Sequence, residues 1–442
     1  MEVGIETQGS GYKVTWKSES NNVEMLVKHI KPKSSQFKAE VTVFLNGQPV
    51  HRSNPVLDST SGMDGFARKL NKRRPESDYG VAWEQLVEDL SGIVIDTFRK
   101  GEPEIALSSV DLDEQLKWRV DNLLVEGEPN LIWADGGTGK SMFALFLSTL
   151  IQQGYMNSEH GLVVEPGNVL YLDYETKPKE IATRARMIHA GLGLEKADAT
   201  KTSSRIIYKK CDQPLQTEID RIRDLIFKHN INVVVIDSMG MAVGGELESA
   251  EEVLAFFRSV RQLGNITSLI VSHSNRQGTI FGSAYTTNSC RSVWEAKRSG
   301  ANSNGMDFNL FHRKANNISV QPAQSWGVDF SNNMVVYTRG DVFATEGVGE
   351  LSYRDLIYRL LKEEGGKTKT YLKDTIKSLK SDPPERIDRN VDSTISKMKS
   401  SGNVKEIEEM FWLSADTDLD GIKLKDIDSN PLSSKDEKWT QM

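Results

Sequence analysis

Eight consecutive residues, Ala134-Asp135-Gly136-Gly137-Thr138-Gly139-Lys140-Ser141, have the types and spacing to cradle a polyphosphate. Small residues at 136, 137 and 139 let the backbone curl so that its N–H groups point inward, and the N-terminus of a following helix adds positive partial charge. Lys140 would neutralise the β- and γ-phosphates, and the Ser141 hydroxyl would ligate Mg2+. The expected nucleotide-contacting set is therefore Gly136, Gly137, Thr138, Gly139, Lys140, Ser141 and Met142, with ATP and Mg2+ as the implied cofactors. Ala134 stands where the strict pattern has glycine, so context has to carry the reading.

Such a loop needs acidic groups, and two segments supply them. Asn168-Val169-Leu170-Tyr171-Leu172-Asp173-Tyr174-Glu175 and Asn232-Val233-Val234-Val235-Ile236-Asp237-Ser238 both read as buried strands ending in carboxylates. Ligands bind at the C-terminal ends of strands in open α/β sheets, which makes Asp237 the expected magnesium carboxylate. Glu175 is the expected general base for the attacking water, with Asp173 competing from two residues earlier on the same face of an extended strand. A third apolar run, Thr267–His273, ends in His273, placed to sense the γ-phosphate directly or through water.

These groups need elements that bring them together. Leu131-Ile132-Trp133 supplies a strand before the glycines, and Met142–Ile151 a helix that stops at Gly154. Strand, glycine turn, helix and further buried strands predict an α/β fold around a mostly parallel twisted sheet.

The arrangement resembles the RecA-like ATPases, and within them the RepA-like hexameric helicases and related phage and plasmid ATPases. The matching pieces are Ala-Asp-Gly-Gly-Thr-Gly-Lys-Ser, Leu-Tyr-Leu-Asp-Tyr-Glu, Val-Ile-Asp-Ser with its Gly-Gly-Glu-Leu-Glu-Ser loop, Val-Ser-His-Ser-Asn-Arg and Phe-His-Arg-Lys-Ala-Asn-Asn. The resemblance implies a RecA-like core over 113–340, a homo-oligomeric ring, expected to be a hexamer, with ATP at each interface, and a basic finger from the neighbouring subunit. Arg313 and Lys314 match the finger's position, with Arg291 as second choice. It also implies that the loops Met239–Glu252 and Asn275–Arg291 face a central channel. The second combines cations and aromatic rings, Arg276, Phe281, Tyr285 and Arg291, suited to single-stranded nucleic acid, DNA being the expected form. A helicase-like motor is the leading expectation; a filament-forming recombinase and a nucleotide-gated DNA-binding regulator are the alternatives.

Composition bounds the remainder. The 442 residues carry a formal net charge of −7, which argues against bulk electrostatic attachment to nucleic acid or anionic membrane but leaves room for a local basic channel. Only Cys211 and Cys290 occur, so a disulfide framework is not expected. No charged-then-apolar leader and no membrane-length apolar run is present, and a cytoplasmic setting is expected. Residues 1–110 read as a small α+β unit with a basic cluster at Lys69, Lys72, Arg73 and Arg74. Residues 347–414 read as a winged-helix-like unit that docks either DNA or protein, its third helix, with Arg386, Arg389, Lys397 and Lys399, facing either DNA or only solvent. Residues 415–442 are polar and acidic and read as a flexible tail.

Overall fold

In the computed structural model the described residues are 2–33, 36–101, 104–110, 117–154, 161–275, 277–300, 304–316, 318 and 320–414. The acidic stretch 415–442 lies outside them.

The N-terminal unit is an antiparallel sheet of five strands in sequential order: β1 (Glu2–Gln8), β2 (Gly11–Lys17), β3 (Asn22–Lys33), β4 (Gln36–Leu45) and β5 (Gln48–Ser53). Asn46 and Gly47 join β4 to β5 with φ of 50° and 76°, the left-handed pair that a tight hairpin requires. Three helices follow, α1 (Thr60–Arg73), α2 (Glu76–Tyr79) and α3 (Trp83–Lys100). Alternate strand residues Val14, Trp16, Val23, Met25 and Val27 form one apolar core with Phe66, Leu70, Leu86 and Leu90 of α1 and α3.

The central unit opens with a small hairpin, β6 (Trp118–Val120) and β7 (Leu124–Val125), and then builds a nine-stranded sheet. In chain order its elements are β8 (Pro129–Ala134), α4 (Lys140–Gln153), β9 (Asn168–Asp173), α5 (Pro178–Gly191), β10 (Ile207–Lys210) and α6 (Leu215–His229). Next come β11 (Ile231–Asp237), α7 (Met239–Ala242), α8 (Ala250–Arg261), β12 (Thr267–His273) and α9 (Ala284–Asn288). Four strands complete the sheet: β13 (Ser292–Gly300), β14 (Gly305–Ala315), β15 (Gln324–Asp329) and β16 (Val336–Gly340).

The spatial order is β10-β9-β11-β12-β8-β13-β14-β15-β16. From β10 to β13 neighbours run parallel, and from β13 to β16 antiparallel. This is a mostly parallel α/β sheet, as expected from sequence. Its parallel strands are covered on both faces, by Phe143, Leu147 and Ile188 of α4 and α5 on one side and by Ile219, Ile222, Phe256 and Phe257 of α6 and α8 on the other. Burial on both faces explains the near-continuous β-branched runs.

The C-terminal unit contains α10 (Tyr353–Glu364), β17 (Lys367–Thr368), α11 (Lys369–Leu379), α12 (Pro384–Ser400), β18 (Val404–Ile407) and β19 (Met410–Leu413). The sheet order is β17-β19-β18, packed with the three helices around one apolar core. No helix among the described residues is long and apolar enough to cross a membrane.

Candidate active site

Parallel register brings the chemistry to one edge of the sheet. Asp237 at the end of β11 pairs with Asp173 at the end of β9, and His273 at the end of β12 pairs with Ala134 at the end of β8. Beyond Ala134 the chain turns through Gly137 and Gly139 at φ of 74° and 86°, values open to glycine at little cost, and enters α4 at Lys140. A side chain at Gly139 would also press within 3.3 Å of the Met306 sulfur.

Lys140 folds back over the loop. Its ammonium donates to Ala134 O at 3.1 Å and Asp135 O at 2.9 Å, and lies 3.3 Å from His273 Nδ1. Burial lowers its pKa, and the carboxylates of Asp237, Glu175 and Asp135 oppose that shift.

Ser141 and Asp237 are in direct contact: the hydroxyl donates to Asp237 Oδ1 at 3.1 Å, and the Tyr171 hydroxyl donates to Oδ2 at 2.6 Å. Burial raises the Asp237 pKa, the two hydroxyl bonds lower it, and Glu175 and Asp173 raise it further. A hydroxyl and a carboxylate side by side are hard oxygen donors that fit Mg2+, which ordinarily takes one or two protein ligands and leaves the rest to water and phosphate.

The two competing carboxylates separate cleanly. Asp173 is buried and accepts from the backbone N–H of Glu175 at 2.9 Å and of Thr176 at 3.0 Å, from the Thr176 hydroxyl, and from the Tyr208 hydroxyl at 3.1 Å. Its lone pairs are engaged. These bonds also end β9 at Asp173, two residues before the extended run expected from sequence, because the carboxylate folds the next residues into a turn. Glu175 rides on that turn, half-exposed, and accepts from the Ser238 hydroxyl. His273 Nε2 stands 3.5 Å from its Oε1. The His273 hydrogen bond is the largest influence holding the Glu175 carboxyl down at about 2, with Ser238 and Lys140 assisting against burial. With Nδ1 accepting from Lys140 and Nε2–H donating to Glu175, one neutral tautomer of His273 serves both partners.

Arg313, Lys314 and Arg291 stand elsewhere. Lys314 is level with Val293, and Val293 with Leu131, and Arg313 falls in the register shift beside them, so both β14 cations sit level with the middle of β8, two strands away from it. The Lys314 ammonium donates to Thr287 O, Asn288 O and Cys290 O at 2.7, 3.1 and 2.9 Å, which makes it an anchor for α9. Arg313 pairs with Glu295 at 2.5 Å and Glu350 at 3.2 Å, and Arg291 pairs with Glu128 at 3.2 Å. None of the three touches the Lys140 cluster, so a direct part in the reaction is open to them only at a neighbour's site.

In the expected nucleic-acid loop, Tyr285 is exposed, whereas Phe281 packs partly against the apolar core. Arg276 lies outside the described residues. Ser283 N–H donates to Leu247 O at 2.9 Å, which ties this loop to the acidic one after β11.

A family model described as an AAA domain matches residues 104–279. The match spans the phosphate loop, Glu175, Asp237 and His273. Among solved structures the chain is similar to a KaiC-like protein, PH0186, from the hyperthermophilic archaeon Pyrococcus horikoshii OT3, at 14% identity and a TM-score of 0.37 over 50% of this chain and 93% of that one. The comparison with curated proteins returns no match.

Sequence reading passed over Tyr171, Tyr208 and Ser238, the hydroxyls that hold the carboxylates. The available signal was a tyrosine inside an apolar strand at the same parity as Asp173. Tyr171→Phe is expected to raise the Mg2+ concentration for half-maximal turnover by about tenfold, because a ligand's supporting hydrogen bond is lost while the ring remains. A Mg2+ titration of ATPase rate checks this; an unchanged requirement would reduce Tyr171 to core packing.

Proposed function

We propose that this chain is an ATP-hydrolysing motor that assembles into a ring, hexameric by expectation, and translocates on or unwinds nucleic acid in the replication of a phage, plasmid or mobile element. The observation that carries the reading is the convergence of Lys140, Ser141, Asp237, Glu175 and His273 at one sheet edge, directly before the two loops that β11 and β12 lead into.

In this reading the loop N–H groups and Lys140 hold the phosphates, the ammonium exchanging its carbonyl acceptors for phosphate oxygens. Ser141 and Asp237 would hold Mg2+, which when bound would supply positive charge to the phosphates. Glu175 orients the attacking water and takes its proton, while Asp173 fixes the turn from which it acts. His273 exchanges its contact with Glu175 for the γ-phosphate and so reports nucleotide state to the strand from which the 275–291 loop departs. Arg313 completes the neighbouring subunit's site, a contribution worth about 10^3–10^5 in rate where such fingers operate. In doing so it exchanges Glu350 for phosphate.

ATPase rate measured with and without single-stranded DNA, across protein concentration, tests the motor reading. Stimulation by the strand and a steep rise with concentration are expected. Insensitivity to both would contradict an assembling motor and favour a slow nucleotide switch.

A further inference from the structure

We propose that β1 is a docking edge for a second copy of this chain: two β1 strands pair antiparallel about Ile5 and join two N-terminal sheets into one.

β1 lies at one end of the five-stranded sheet, and among the described residues no strand pairs with its free edge. It keeps an unbroken register with β2, from Glu2 opposite Lys17 to Gln8 opposite Gly11. A straight run of unpaired backbone N–H and C=O groups is a template for another strand, and sheets ordinarily defend such an edge with a proline, a cation or a bulge. The opposite edge, β5, has all three: Pro49, the exposed Arg52, and a register shift between Val43 and Phe44 of its partner β4. β1 has none of them, and its only charges are Glu2 and Glu6.

The side chains of β1 divide by parity. Its two apolar residues, Val3 and Ile5, stand opposite Trp16 and Val14, which are fully buried in the core that α1 and α3 cover, so both point to the core side of the sheet. Yet they are 46% and 40% exposed. The apolar face of the sheet thus runs one strand further than the helices that cover it.

Charge and shape name the occupant. Antiparallel pairing of β1 with its own copy about Ile5 sets Ile5 against Ile5, Val3 against Thr7, Gly4 against Glu6 and Glu2 against Gln8. β-Branched residues then face each other along the core side, and each carboxylate faces an uncharged residue. Glu6 also keeps Lys13 of its own chain, 3.8 Å away. An axis at Gly4 would set Glu2 directly against Glu6, and an axis at Glu6 would set that residue against itself, so charge selects one register. The two-fold axis stands perpendicular to the joined sheet, which keeps both helix-covered faces on one side and closes an apolar strip between them. Such a contact is isologous, distinct from the head-to-tail contact of a ring, and independent of the nucleotide site. It is small, so pairing is expected to be reversible.

Cysteine cross-linking of the full chain under mild oxidation, read on non-reducing gels, tests both the contact and its register. The native thiols stay silent, because burial pushes Cys211 and Cys290 each up to about 12. Facing residues of an antiparallel pair have Cα atoms about 4.5–5.5 Å apart, within disulfide reach. Ile5→Cys is therefore expected to form a disulfide dimer at least tenfold faster than Glu19→Cys, an exposed control between β2 and β3. Gly4→Cys, whose side chain would meet open space, and Glu6→Cys should each fail to cross-link alone and should cross-link when mixed. Ile5→Lys, which sets two ammonium groups against each other, should raise the concentration for half-association at least tenfold in sedimentation of the nucleotide-free chain. It should leave binding of an ATP analogue within twofold, so failure here is distinguishable from failure of the motor reading. Cross-linking of Ile5→Cys no faster than of Glu19→Cys, equally fast dimer formation by Gly4→Cys alone, or unchanged association in Ile5→Lys would each overturn the proposal.

Discussion

Lys140→Ala is expected to remove nucleotide binding at micromolar ATP and to lower turnover by at least about 10^2–10^3, the cost of deleting one preorganised cationic donor to a reacting oxyanion. The ammonium is aimed by its surroundings: two loop carbonyls and His273 hold it over the turn, and Asp237 and Glu175 oppose the effect of burial on its charge. Alanine leaves those carbonyls without their donor, so a melting curve belongs beside the measurement. Binding of a fluorescent ATP analogue and phosphate release are the readouts. Near-normal turnover by a folded variant would remove the loop from the chemistry.

Glu175→Gln is expected to separate binding from hydrolysis. Glutamine has the same shape and still accepts from Ser238, so affinity should stay within a few-fold, while loss of the proton acceptor should slow hydrolysis by about 10^2–10^4. The pH behaviour follows from the same contacts. Because the folded pKa is depressed to about 2, Glu175 of the nucleotide-free chain stays ionised from neutrality down to roughly that pH. A carboxylate held so low is a weak base. Its basicity should rise once His273, the largest contributor to the depression, turns to phosphate, which couples activation of the water to arrival of the γ-phosphate. Single-turnover hydrolysis with bound nucleotide checks the split; a variant that hydrolyses at the parent rate would leave Asp173 or solvent as the acceptor.

The sequence made the phosphate loop, Asp237, Glu175 and His273 readable for one physical reason. A strand buried on both faces must be apolar, so a polar residue at its end stands out, and parallel strands end at the same edge. What stayed hidden depends on partners far away in the chain. Asp173 and Glu175 look alike two residues apart, and only the Tyr208 hydroxyl and the turn N–H groups show that the first is engaged and the second presented. Lys314 has the type and position of a reaching cation, yet its ammonium closes three carbonyls at the end of α9, 24 to 27 residues earlier. Arg389 and Lys399 were equivalent as letters; Glu406, across the turn into the hairpin, distinguishes them. The edge strand β1 carries little apolar alternation, since its residues are exposed except for the half-buried Gln8, and periodicity had nothing to report there.

The central claim is that one magnesium-bound triphosphate sits among Lys140, Ser141, Asp237 and Glu175. An anomalous-difference map of crystals grown with Mn2+ and a non-hydrolysable ATP analogue tests it most directly. A metal peak is expected at bonding distance from Ser141 Oγ and beside Asp237, with Glu175 facing the terminal phosphate. A nucleotide bound elsewhere, or a metal with neither Ser141 nor Asp237 beside it, would contradict the account.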